Sequence, residues 1–147
     1  MNKAFVREPE SDGRAYCPRC GSLGIPVGAV ALDTHIRPET RSKMREFAWF
    51  CNFPRCDAAY FNEFDEVVTV RDLILPVYPK DLDAPICPCF GFKYDDVEAD
   101  LRDGKPSRIR ELLAKSKTPD ARCQSLAADG RCCMAAVQEL YMRLLNK

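Results

Sequence analysis

Cys17-Pro18-Arg19-Cys20-Gly21 is the stretch on which the reading of this chain turns. Two thiols separated by two residues can aim their sulfurs at one ion. Gly21 relieves crowding where the chain turns away. Working outward, Cys51-Asn52-Phe53-Pro54-Arg55-Cys56 repeats the theme with a wider loop. Cys87-Pro88-Cys89 follows, then Cys123 and the doublet Cys132-Cys133. Together these are the nine cysteines of a 147-residue chain whose one histidine is His35.

The balance of charge narrows the function classes. Lysine and arginine number 22, as do aspartate and glutamate. A net charge of zero gives no broad electrostatic pull toward nucleic acid or an anionic membrane. No apolar run approaches the roughly 20 residues of a membrane span. Residues Met1 to Asp12 are polar and mixed in charge, unlike a secretory signal. The expected location is therefore cytoplasmic, where thiols stay reduced and structural disulfides are rare. The odd thiol count also argues against a fully paired disulfide framework. With one histidine, any metal centre must be mostly thiolate, which selects zinc, iron-sulfur or copper(I).

Local patterns predict an α+β fold: a small zinc-ribbon-like antiparallel β unit with short helices around an iron-sulfur site. Val27–Leu32 reads as a short strand, and 38–46 as a short helix with Pro38 in its first turn. Phe47–Phe50 reads as a strand running into Cys51, and Ala59–Phe61 as its return. Val67–Val70 is β-branched and predicts a third strand. Leu73–Tyr78 is apolar but interrupted by Pro76, as on a sheet edge. A polar bridge, 79–85, divides a zinc lobe of about 15–78 from a second lobe of about 86–145. In the second lobe, helices are expected over Tyr94–Arg102, from Pro106 or Ser107 onward, and after Gly130.

The thiols fall into two sets. Cys17, Cys20, Cys51 and Cys56 supply four ligands for a closed tetrahedral zinc, with Asp57 as a substitute oxygen donor. Cys87 and Cys89 leave an extended chain on the same face. With Cys123 and one of the doublet they complete a second set suited to a [2Fe-2S] centre. Cys133 is favoured over Cys132 because it shares an apolar helix face with Val137 and Leu140. The start of the last helix offers free N–H groups toward a buried anionic cluster. From spacing alone, a second zinc competes with iron-sulfur.

These residues resemble the N-terminal metal domain of the CopZ copper chaperone family. The likeness runs over 15–137 and rests on the Cys17-Pro18-x-Cys20-Gly21 knuckle and Phe50-Cys51 through Cys56-Asp57. It continues with Tyr60-Phe61, Cys87-x-Cys89-Phe90-Gly91, Cys123 and Gly130-Arg131-Cys132-Cys133. It implies one zinc on Cys17, Cys20, Cys51 and Cys56. It also implies one [2Fe-2S] cluster on Cys87, Cys89, Cys123 and Cys133, with Cys132 as the alternative. The implied role is one-electron transfer, with reduction of copper(II) to copper(I) or electron supply in metal homeostasis, rather than conventional enzyme catalysis. The implied partner is a redox protein or a copper-handling protein. The family's C-terminal copper-carrying module is not found in this sequence. Lys93-Tyr94 stands where the family usually has threonine, and the Asn-Pro before the terminal glycine is absent. The competing reading is a non-redox structural or interaction protein with two zinc sites.

Three other groups have bland readings. His35 reads as a surface or capping histidine. Asp95, Asp96, Glu98 and Asp100 read as a solvated helix face. Arg37, Arg41, Lys43 and Arg45 form a local basic cluster near Trp49, with nucleic-acid contact disfavoured by the net charge. No phosphate-binding glycine loop or HExxH motif is present.

Overall fold

The computed structural model describes residues 14–146. Four strands form one antiparallel sheet in the order β1-β2-β3-β4. They are β1 (Ile25–Gly28), β2 (Phe47–Phe50), β3 (Ala58–Phe61) and β4 (Val67–Thr69). Helices α1 (Ala29–His35) and α2 (Pro38–Arg41) fill the connection from β1 to β2. The second lobe carries α3 (Tyr94–Asp103), α4 (Ser107–Ser116), α5 (Cys123–Leu126) and α6 (Met134–Leu145).

Alternation along β2 gives the sheet two working faces. Ala48 and Phe50 join a core with Val27, Leu32, Ile36, Met44 and Tyr60. Trp49 faces the other way and packs with Cys17, Cys51, Cys56 and Phe61. Trp49 stands opposite Phe61 in the strand register, and their rings stack with centroids 6.0 Å apart. Each buried ring of this size contributes about 2–3 kcal/mol from lost apolar exposure. In β3 the register shifts between Ala58 and Tyr60. That irregularity places Ala58 with Phe61 on the thiol side, while Ala59 and Tyr60 face the other core. All four residues of β3 are buried.

The chain passes close to the aromatic pair just before β1. A Cβ on Gly24 would lie 2.5 Å from the tip of the Phe61 ring and 2.7 Å from Trp49 Cβ. Only glycine lets the backbone approach this aromatic pair so closely.

The expected strand over Val27–Leu32 is corrected: the run is split, ending β1 at Gly28 and continuing as α1. Ala31 and Leu32 reach the core from a helix, because a short apolar run suits a buried helix as well as a strand. Leu73–Tyr78 forms no strand and makes a single bridge, Leu73 to Ile36. Residue 123 begins the short α5.

In the second lobe, α3, α4 and α6 enclose a core of Ile86, Phe92, Val97, Ile109, Leu112, Val137 and Leu140. Gly104 ends α3 in the left-handed region, with φ 78°. The acidic stretch is not uniformly solvated. Asp100 is fully buried and accepts hydrogen bonds from the backbone N–H groups of Arg108 (3.1 Å) and Ile109 (3.0 Å). Arg108 also donates to it through the guanidinium, at 3.1 Å. Asp100 therefore caps α4 from the neighbouring helix.

The basic cluster is turned largely to internal use. Arg37 donates to Leu73 O, Arg41 to Asp33 and to the carbonyls of Met44 and Arg45, and Lys43 to Val67 O. Helix α1 packs against α5, and Tyr60 donates its hydroxyl hydrogen to Ala128 O at 2.5 Å.

Candidate metal centre

The first knuckle is built by local hydrogen bonds. Gly21 N–H donates to Cys17 O at 2.9 Å, closing the turn, and Gly21 takes φ 79°. Arg19 N–H points at Cys17 Sγ from 3.4 Å, as expected for an amide facing a thiolate. The second knuckle grows out of the sheet. Cys51 N–H donates to Ala59 O at 2.9 Å, extending the β2–β3 ladder by one residue. Cys56 N–H closes its loop on Phe53 O at 3.2 Å.

The two knuckles bring Cys17, Cys20, Cys51 and Cys56 together, with all four sulfurs within 4.8 Å of one another. Cys17 and Cys56 sulfurs are 3.9 Å apart, and those of Cys20 and Cys51 are 3.5 Å apart. A regular tetrahedron with zinc–sulfur bonds of about 2.3 Å has edges of about 3.8 Å. The donor set therefore fits a closed four-thiolate ion. Cys17 and Cys51 are buried and Cys20 is exposed, so the site lies just beneath the surface.

The thiols differ in their ease of ionisation. Burial works to raise Cys20, but its partners, chiefly Ser22 with Oγ 3.2 Å from the sulfur, outweigh it and bring it down to about 6. Burial pushes Cys51 up to about 12, against the amide of Phe53 and the charge of Lys80. Cys56 is also raised, mainly by burial. Such sulfurs need a cation to be ionised together, which is the service a bound metal performs.

Two side chains brace the site from outside. Arg19, between the ligands of the first knuckle, pairs with both oxygens of Asp57 at 2.9 and 2.7 Å. Asp57, considered as an oxygen ligand, is instead a link between the knuckles. Lys80, assigned by sequence to the polar bridge, reaches Cys51 Sγ at 3.4 Å. No short motif marks it, because only the folded bridge brings position 80 to position 51.

The second thiol set is arranged differently. Cys87 and Cys133 are buried within the helical core. A hydrogen bond with Cys133, opposed by burial and aided by the amides of Phe90 and Cys89, lowers Cys87 to about 6. Arg122 N–H donates to Cys89 Sγ at 3.2 Å. Cys132 is exposed. The side chain of Cys123 lies outside the described residues.

The expected [2Fe-2S] centre is corrected by this arrangement, together with one-electron transfer and copper(II) reduction as the main function. Among the described residues a single group of thiols closes to ligand distance, and it is the zinc-type set. Cys87 and Cys133 serve there as packed members of an apolar core, while Cys132 turns to solvent.

His35 is also corrected. It ends α1 half-buried, and its Nε2 is buried without a hydrogen-bond partner. Burial lowers its basicity, while the carbonyls of Ala127, Leu126 and Ser125 and the carboxylate of Asp129 act in the opposite sense. Among the described residues no helix is long and apolar enough to cross a membrane.

Comparison with known proteins agrees with this geometry. The CopZ zinc-finger family model, described as a zinc binding domain, matches residues 14–74. The copper chaperone CopZ of Archaeoglobus fulgidus is 27% identical over 120 residues, which are 80% of this chain. The chain spans 57% of that relative's length. The X-ray structure of the A. fulgidus CopZ N-terminal domain superposes with a TM-score of 0.72 at 26% identity. That match covers 86% of this chain and 97% of the other. In homology and in fold, the chain matches a CopZ-like metal-binding domain, with an antiparallel sheet and short helices around a four-cysteine site.

Proposed function

We propose that this chain is a non-redox metal-handling protein, whose first lobe is organised by a zinc ion held by Cys17, Cys20, Cys51 and Cys56. The single observation carrying this reading is the gathering of four sulfurs within 4.8 Å of one another, with the Cys17–Cys56 and Cys20–Cys51 pairs at 3.9 and 3.5 Å. Soft thiolates suit both zinc and copper(I), but copper(I) settles for two or three of them, whereas zinc takes four in a tetrahedron. When bound, the ion supplies the charge that lets the buried thiols ionise. The chain's own residues hold that arrangement: Gly21 shapes the first turn, the β2–β3 ladder fixes Cys51, and Arg19 with Asp57 locks the knuckles together.

No open coordination position is left for a substrate, so the zinc is structural and the protein works through what it binds or presents. The setting is metal homeostasis, with a copper-handling protein as the partner, by its likeness to a copper chaperone. We read Cys87, Cys89, Cys123 and Cys133 as a second thiolate set that takes zinc. The observation favouring it is the hydrogen-bonded pair Cys87 and Cys133 beside Cys89.

Metal analysis of protein purified without oxygen tests both parts. Two zinc ions per chain are expected, falling to one in Cys51→Ser. Copper in place of zinc, or no bound metal, sinks the proposal. One zinc in wild type confines it to the first lobe and removes the second set.

A further inference from the structure

The ammonium of Lys80 has three donors, and all three of its acceptors belong to the second knuckle. They are Cys51 Sγ at 3.4 Å, Phe53 O at 2.7 Å and Cys56 O at 3.0 Å. The lysine thus spans the loop from one ligand to the other without belonging to it. Its backbone lies at the head of the bridge between the lobes, in the turn where Asp81 N–H donates to Val77 O at 2.9 Å.

Charge gives this contact its meaning. Four thiolates around a divalent ion carry a formal charge of about −2, and hydrogen bonds to the sulfurs temper it. Arg19, in the first knuckle, is held by the carboxylate of Asp57, so the pair adds no net charge. Lys80 brings its positive charge to a ligand sulfur directly, at 3.4 Å from Cys51 Sγ.

We propose that Lys80 is a positioning residue of the metal centre, clamping the second knuckle around the ion and holding electron density on the Cys51 sulfur. The clamp makes the centre retentive: it keeps its ion rather than passing it on. It also ties the start of the inter-lobe bridge to the loaded first lobe. This inference rests on the zinc reading above.

Cobalt(II) is the probe, because its thiolate complexes absorb visibly. In Lys80→Met, cobalt and zinc affinities measured by chelator competition are expected to fall about 10–100-fold. The sulfur-to-cobalt charge-transfer band is expected at longer wavelength, since an unopposed thiolate gives up its electron more easily. A lysine that merely props the bridge would leave that band in place. Lys80→Met with wild-type affinity, or with an unmoved band, overturns the assignment. Wild-type protein that takes up neither cobalt nor zinc overturns the zinc reading itself and this inference with it.

Discussion

Tyr60, in the middle of the sheet, donates its hydroxyl hydrogen to the carbonyl oxygen of Ala128, 68 residues further along the chain. The hydroxyl sits in the first core and the carbonyl just after α5 in the second lobe. Burial holds the phenol in its protonated form, so it remains a donor at any working pH. Tyr60→Phe removes the donor and strands a buried carbonyl. The expected loss is about 1–3 kcal/mol, read from the urea midpoint. An unchanged midpoint would mean that water replaces the hydroxyl.

Asp100 joins two helices in the same manner, and with more at stake because it is charged and fully buried. Asp100→Ala leaves the first amides of α4 without an acceptor and Arg108 with only Asp103. A loss of about 3 kcal/mol is expected. Amide hydrogen exchange should place the damage at residues 107–110 first.

His35 makes stability depend on pH. Its folded pKa lies below the ordinary 6.5, mainly through burial. Below 6.5 the unfolded chain therefore binds more protons at this position, and stability falls as pH drops through the window. Asp129 works in the opposite direction above 3.8: burial raises its carboxyl, so its contribution improves as pH falls. His35→Gln should flatten the loss of stability between about pH 7 and about pH 5.5 in denaturant titrations. A slope as steep as wild type would assign the acid sensitivity elsewhere.

Removing the metal should be visible through Trp49, the one tryptophan, which is buried against Cys17, Cys51 and Phe61. A strong chelator under reducing conditions is expected to loosen this side of the sheet and shift tryptophan emission to the red. Added zinc should reverse the shift. Cys51→Ser should begin in the shifted state, and Cys132→Ser, which alters an exposed thiol, should behave as wild type.

Much of this could be seen in the sequence where the signal was local. The strand leading into Cys51 showed in its aromatic run, and the helix expected over Tyr94–Arg102 forms as α3, one residue longer. The first four thiols were legible because their spacing is imposed by the geometry of a single ion. Long-range encounters were not. Asp100 looked like one more solvated acid because its amide partners lie beyond a turn. Lys80 looked like linker, and Asp57 like a spare ligand, until the fold supplied their partners. Val27–Leu32 misled because a short apolar run fits a strand or a buried helix equally well. The second thiol set was overread as an iron-sulfur site for a related reason: soft thiolates suit zinc as well as iron, and their spacing along the chain does not choose between them.

The irregular register of β3 has a consequence for how this protein can change over generations. A regular strand with one wet side offers every second position to drift. By turning Ala58 and Phe61 to one core and Ala59 and Tyr60 to the other, β3 gives up that freedom entirely. In a mutational scan these four positions should accept the fewest substitutions of any strand, while exposed Phe47 and Phe64 accept many. Divergent lineages would then keep 58–61 nearly fixed and accumulate their differences on the rims around it.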